Sequence, residues 1–369
     1  MNRFTRRGLF GIGTATVIAL SGYGCPGPPN KTATNPPAVA TTTGGTETKA
    51  TPFRAALVFD TGGKDDKSFN AGANAGLERA RTELGLGTDG IKTVESRASA
   101  DYKTNLTNFA SQNYDIVIAV GFNMADAIKD VSAQFPNTKF AIVDSDAPAN
   151  SKNVAGLRFQ EEQGSFLAGY LAAMMSKKHK IGFVGGMKIP LIEKFEAGYK
   201  AGAKTAGLDP DKQVYASYVG DWDDLSKGKS QARLQFDQGA DIVFQAAGKA
   251  GLAVITEAKD RGAGYYAIGV DQDQDYIAPG RVLTSMVKHV DTAVFDTIKM
   301  AKDGKFTAGD HVFAMKDGGV GISDLKYTRK DIPADVLVKL DKLTKLISDG
   351  TVVPPTTLAA LATFKPPVL

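Results

Sequence analysis

The chain has one cysteine, Cys25, so it cannot close an internal disulfide. Its three histidines, His179, His289 and His311, lie far apart and lack metal-ligand spacing. They read as surface or packing residues, and neither a metal nor a cofactor is expected. The apolar run Leu9–Leu20 is too short to span a bilayer comfortably. Positive charge is thin as well. The net charge of +4 is spread along the chain apart from a basic amino terminus, with none of the dense basic stripe that nucleic acid requires. There is a single tryptophan, Trp222.

What the chain does have is length and glycine. At 369 residues it exceeds one typical core, so two lobes are expected. Its 40 glycines cluster after apolar runs, as strand-to-helix loops demand.

The first 25 residues follow the three-part plan of an export signal: Arg3, Arg6 and Arg7, then Leu9–Leu20, then small residues before Cys25. Thr5-Arg6-Arg7-Gly8-Leu9-Phe10 resembles a twin-arginine signal. Cys25 is the expected lipidation site, although Gly22-Tyr23-Gly24 stands where a lipobox usually carries leucine. The protein is then expected to be exported and held by lipid in the periplasm or at the outer face of the cell membrane, the alternative being ordinary cleavage nearby and a soluble mature chain. Residues 26–52 are rich in proline, threonine, glycine and asparagine, a composition that cannot offset its ordering entropy and so predicts a disordered tether.

From Phe53 onward, short apolar runs alternate with helical stretches. Strands are expected at Arg54–Phe59, Ile91–Glu95, Asp115–Val120, Lys139–Asp144 and Asn153–Phe159. A second set is expected at Lys180–Val184, Gln213–Val219, Asp241–Gln245, Tyr265–Val270 and Arg281–Lys288. Such alternation predicts parallel sheets covered on both faces. An internal repeat favours two lobes over one wide sheet. Tyr114–Gly121, a helix and Phe140-Ala141-Ile142-Val143-Asp144 have the same order as Ala240–Gly248, a helix and Ala267-Ile268-Gly269-Val270-Asp271. Crossings near 286 and 319 make each lobe discontinuous: 53–157 plus about 286–318, and 158–285 plus about 319–369. A hinge of several crossing segments suits a closing cleft.

One stretch concentrates polar chemistry. After the strand Arg54–Phe59 comes Asp60-Thr61-Gly62-Gly63-Lys64-Asp65-Asp66-Lys67-Ser68-Phe69-Asn70, at the carboxyl end of a strand, where ligands meet α/β sheets. This stretch resembles the opening motif of the basic membrane protein family, the substrate-binding lipoproteins that include purine nucleoside receptors of ABC transporters. Further matching segments follow in order: Val120-Gly121-Phe122 with Ala125-Asp126-Ala127, Glu161–Gly169, Ile181–Gly186, Gly248, Gly269-Val270-Asp271 with Asp273-Gln274, Ser285–Lys288 and Gly318–Gly321.

The resemblance covers Phe53 to about Pro354. It implies an α/β type I periplasmic-binding-protein fold, with two doubly wound lobes, a hinge and an interlobe cleft. It implies a purine nucleoside held in that cleft without chemistry, delivery to an ABC transporter permease and a monomeric receptor. Aromatic stacking of the base falls to Phe69 and, in Asp221-Trp222-Asp223-Asp224, to Trp222, where relatives usually carry phenylalanine.

The remaining candidates each have a plainer reading. Asp65 and Asp66 can accept from base N–H groups, or start a helix where carboxylates favour the dipole. Asn70 orients the base or caps the turn, and Asp60 braces the loop. Asp271 suits ribose hydroxyls or a turn, and Lys288 suits ribose oxygens or a structural ion pair. Gly248 admits close backbone approach or serves a tight turn. Phe122 and Asp126 are cleft candidates, with the helix dipole as the alternative for Asp126. Three other functions fit the sequence less well. A nucleoside hydrolase would use the aspartate cluster to hold calcium, but Gly62 and Lys64 interrupt it. An anchored sensor would need a signalling partner. A transcriptional regulator would carry a DNA-binding helix pair where this chain carries an export signal.

Overall fold

The computed structural model describes residues 52–369. The export signal, Cys25 and the tether as far as residue 51 lie outside the described residues. The chain runs through β1 (Ala55–Phe59), α1 (Phe69–Glu83), β2 (Ile91–Glu95), α2 (Asp101–Ser111), β3 (Ile116–Val120), α3 (Ala125–Gln134), β4 (Lys139–Val143) and β5 (Val154–Phe159). It continues through α4 (Glu161–Met175), β6 (Ile181–Gly185), α5 (Pro190–Thr205), β7 (Val214–Tyr218), α6 (Leu225–Asp237), β8 (Ile242–Ala246), α7 (Leu252–Arg261), β9 (Tyr266–Asp271) and β10 (Val282–Lys288). The remaining elements are α8 (Val290–Lys302), β11 (Gly309–Phe313), β12 (Val320–Ile322), α9 (Ala334–Ser348) and α10 (Leu358–Thr363). No helix among the described residues is long and apolar enough to cross a membrane.

Two six-stranded sheets result, ordered β11-β5-β4-β3-β1-β2 and β12-β10-β9-β8-β6-β7. Every pairing is parallel except β10 with β12. The central strands β1, β3, β6 and β8 are buried along their whole length. Helices cover both faces of each sheet, which is why these strands are near-continuous apolar runs, with Gln245 of β8 the one polar side chain among them. The edge strands β2 and β7 are mostly exposed or half-buried, and carry polar residues accordingly.

The chain crosses between sheets three times: after β5, after β10 and after β11. Sheet membership runs to Phe159 and Lys288, slightly beyond the expected boundaries at 157 and 285. After the second crossing, α8 returns to pack against α1 of lobe one. β11 was not anticipated. Its sequence, Gly-Asp-His-Val-Phe, is partly exposed throughout, and it forms by pairing with the free edge of β5.

Strand order reverses between β1 and β3 in one sheet and between β6 and β8 in the other. At such switch points adjacent loops diverge and leave a crevice beyond the carboxyl ends of the strands. The fold thus places two crevices, one per lobe.

Candidate functional site: an interlobe cleft

The two crevices merge into one cavity of about 700 Å³, counting its opening to solvent. Lobe one contributes the loops after β1, β3 and β4, and lobe two those after β6, β7, β8 and β9.

In the lobe-one jaw, Asp66 is buried and caps the start of α1 from three residues upstream. Its Oδ1 accepts the N–H groups of Ser68 (2.9 Å) and Ala71 (3.0 Å), and its Oδ2 that of Asn70 (2.9 Å). Burial raises its pKa, and these three donors oppose the rise. Asp66 therefore lines the cavity while most of its acceptor capacity serves the helix start. The next side chains, Phe69 and Asn70, reach the cavity, and Asn70 Oδ1 is buried without a partner. Asp60 also lines it, accepting from the Tyr102 hydroxyl and from Asn123 Nδ2 (2.8 Å). The bracing expected of Asp60 is thus seen together with cavity exposure. Phe122 lines the cavity from the turn after β3.

Two candidates are not brought in. Asp65 and Asp126 are exposed and do not line the cavity. Asp65 points away because its neighbour Asp66 takes the helix-start position. Asp126 sits in the first turn of α3, an ordinary place for a carboxylate.

In the lobe-two jaw, Trp222 lies against Gly186. A Cβ on that glycine would come within 2.3 Å of the indole Cζ3, so only glycine leaves room for the ring. The Trp222 carbonyl accepts the N–H of Ala250 at 2.8 Å. Gly248, with φ of +57°, begins the turn into α7 in a conformation that favours glycine. Asp223 extends the jaw. Its Oδ1 is buried without a partner, and burial raises its pKa against the pull of Lys249. Leu191, Ile192 and Phe195 at the start of α5 complete an apolar wall.

Lys288 closes the back of the cavity. Its Nζ lies 2.7 Å from Asp144 Oδ2 and 3.9 Å from both Asp271 Oδ1 and Glu161 Oε1. Burial alone would lower its pKa, but these carboxylates carry it above the ordinary value, so the ammonium is fixed. Phe69, Phe159 and Phe195 surround it, with ring centroids 4.9, 5.4 and 5.6 Å from Nζ. Asp271 Oδ2 accepts the Ser68 hydroxyl at 2.5 Å. Burial pushes its carboxyl up to about 6, with Lys288 and Ser68 pulling it down.

The cavity thus gathers Asp66, Phe69, Asn70, Phe122, Trp222, Gly248, Asp271 and Lys288. Sequence reasoning passed over Asp144, Asp223, Lys249 and the α5 residues. Asp144 had a signal, since it occupies the place of Asp271 in the internal repeat. The α5 residues had none that separates a cavity wall from core. The arrangement offers flat apolar surfaces, orphaned acceptors and one fixed cation. Among the described residues, no cluster of three or more histidine, cysteine or acidic side chains is placed to hold a metal.

Residues 53–356 match the family Bmp, described as ABC transporter substrate-binding protein, PnrA-like. A CD4+ T-cell-stimulating antigen of Listeria monocytogenes is 37% identical over 320 residues, covering 81% of this chain and 87% of that protein. The ABC transporter nucleoside-binding protein BmpA of Lactococcus lactis is 37% identical over 290 residues, covering 74% and 82%. Among solved structures, an ABC transporter solute-binding protein from Aeropyrum pernix superposes with a TM-score of 0.76 at 26% identity, covering 85% and 96%.

Proposed function

We propose that this chain, which belongs to the family of PnrA-like ABC transporter substrate-binding proteins, captures a purine nucleoside between its lobes and delivers it to a membrane permease. The family binds solutes for transport and is not a family of enzymes. A small-molecule ligand and a transporter partner follow from membership. The purine nucleoside is our reading.

One observation carries it. Phe69 of lobe one and Trp222 of lobe two line a single cavity together with two buried, unpartnered acceptors, Asn70 Oδ1 and Asp223 Oδ1. A buried acceptor without a donor is costly, and a planar heterocycle with N–H edges supplies both the stacking surface and the donors. Asp271 and Lys288 suit a sugar: the carboxylate accepts from hydroxyls, and the ammonium donates to oxygens. The printed name of the Lactococcus relative supports the class of ligand. Cys25 would carry the lipid that holds the exported protein at the membrane, and the receptor would act as a monomer.

Calorimetry with adenosine, guanosine and inosine tests the reading. Saturable heat with at least one of them is expected. No heat and no thermal shift with any of the three would end it.

A further inference from the structure

The segment Asp271–Gln274 belongs to the motif series, yet Gln272 and Gln274 do not line the cavity. Gln274 is fully buried. Within lobe two its Oε1 accepts from Gln245 Nε2 (2.8 Å) and from the Val270 N–H (3.0 Å), while its own N–H donates to Ser285 Oγ (3.0 Å). That network fixes the carboxamide and leaves Nε2 aimed out of the lobe. There it donates to the carbonyl of Lys67 in lobe one at 2.8 Å. Gln272 Nε2 donates to the next carbonyl, that of Ser68, at 2.6 Å. Lys67 has φ of +55°, a conformation L-residues rarely adopt.

We propose that Gln272 and Gln274 are positioning residues: a clamp through which lobe two holds the backbone of the lobe-one ligand loop and stabilises closure. Asp66 holds that loop from within lobe one by its N–H groups, and the clamp holds it from lobe two by its carbonyls. The two grips leave Phe69 directly downstream of a turn fixed on both sides. Because the acceptors are main-chain carbonyls, the clamp contacts neither the side chain at 67 nor the ligand. When the lobes part, the buried amide of Gln274 loses its partner, so closure and loop shape change together. The inference rests on the cleft capturing a solute and does not depend on which solute it is.

Gln272→Ala and Gln274→Glu in the full chain test it. In Gln274→Glu the acceptors for Gln245 and Val270 remain, but an ionised carboxylate repels the Lys67 carbonyl. Protonation restores a donor. In ligand-free protein, X-ray scattering should show a larger radius of gyration for both variants, with faster amide exchange at residues 67–71. Acidification should reverse the change in Gln274→Glu beyond any shift of the wild type. Where a nucleoside binds, its release, followed by Trp222 fluorescence, should quicken about fivefold in Gln272→Ala, as expected for one lost hydrogen bond. Gln272 is half-buried, so its truncation decides the matter even where the buried charge of Gln274→Glu prevents folding. Scattering and exchange identical to the wild type in Gln272→Ala would overturn the clamp. Those two measurements use no nucleoside, so they stand apart from the outcome of calorimetry.

Discussion

Asp144 and Asp271 occupy the same place in the two lobes. Asp144 directly follows β4 and Asp271 ends β9, the second strands of two repeated strand–helix–strand units; each has φ of +64°, and Lys288 lies between them at 2.7 and 3.9 Å. One cation on a crossing strand thus neutralises a carboxylate from each lobe. Lys288→Met leaves Asp144, Asp271 and Glu161 buried without it. Stability measured by urea unfolding at pH 8 should fall by about 3 kcal/mol or more. Part of that loss should return as the pH is lowered and the carboxylates take up protons. A loss that does not depend on pH would point to packing rather than charge.

Trp222 depends on the absence of a side chain at 186. Gly186→Ala places a methyl group where the indole lies, within 2.3 to 3.1 Å of three carbons of the ring. Ligand affinity should drop more than tenfold, with a shift in tryptophan emission and an unchanged circular dichroism spectrum. Trp222→Ala should lose at least as much affinity. Wild-type affinity in Gly186→Ala would show that the ring can leave its seat without consequence.

Asp65 and Asp126 offer the converse. Both are exposed and outside the cavity, so Asp65→Asn and Asp126→Asn should change affinity less than about twofold, the range of ordinary surface substitutions. Asp223→Asn, at a buried acceptor inside the cavity, should weaken binding by about tenfold. Titration of the three variants with the same nucleoside gives the comparison.

These contrasts show what the sequence could and could not reveal. Strands such as β1 and β3 were legible because both faces are covered and every residue is apolar. β11 was not, because an edge strand takes its stability from the neighbour it pairs with. In the site, the loop after β1 announced itself by its polar density, but sequence does not say which of two adjacent aspartates turns inward. Asp66 does, because its carboxylate is needed by the N–H groups of the helix it starts. Leu191 and Phe195 read as core from sequence, since a cavity wall and a core face share the same pattern. Asp144 could have been found from the repeat that singled out Asp271.

Glu162 lies in the first turn of α4, at the first crossing. Its Oε2 is buried without a partner, and burial, with Glu161 adding to it, pushes the carboxyl up to about 7 from an ordinary 4.5. The folded protein thus holds a proton that the unfolded chain releases between those values. This contribution to stability is fully present below pH 4.5 and is lost as the pH rises through 7. The loss is on the order of 3 kcal/mol. Asp271, raised to about 6, slopes the same way. Glu162→Gln mimics the protonated form and should flatten the dependence of unfolding free energy on pH across this window, making the variant more stable than the wild type at pH 8. Ligand affinity should run in the opposite sense, falling below about pH 6 as Asp271 is protonated and becomes a weaker acceptor for the sugar hydroxyls proposed to bind it. Stability and affinity moving together with pH would show that Glu162 and Asp271 are not the groups that titrate.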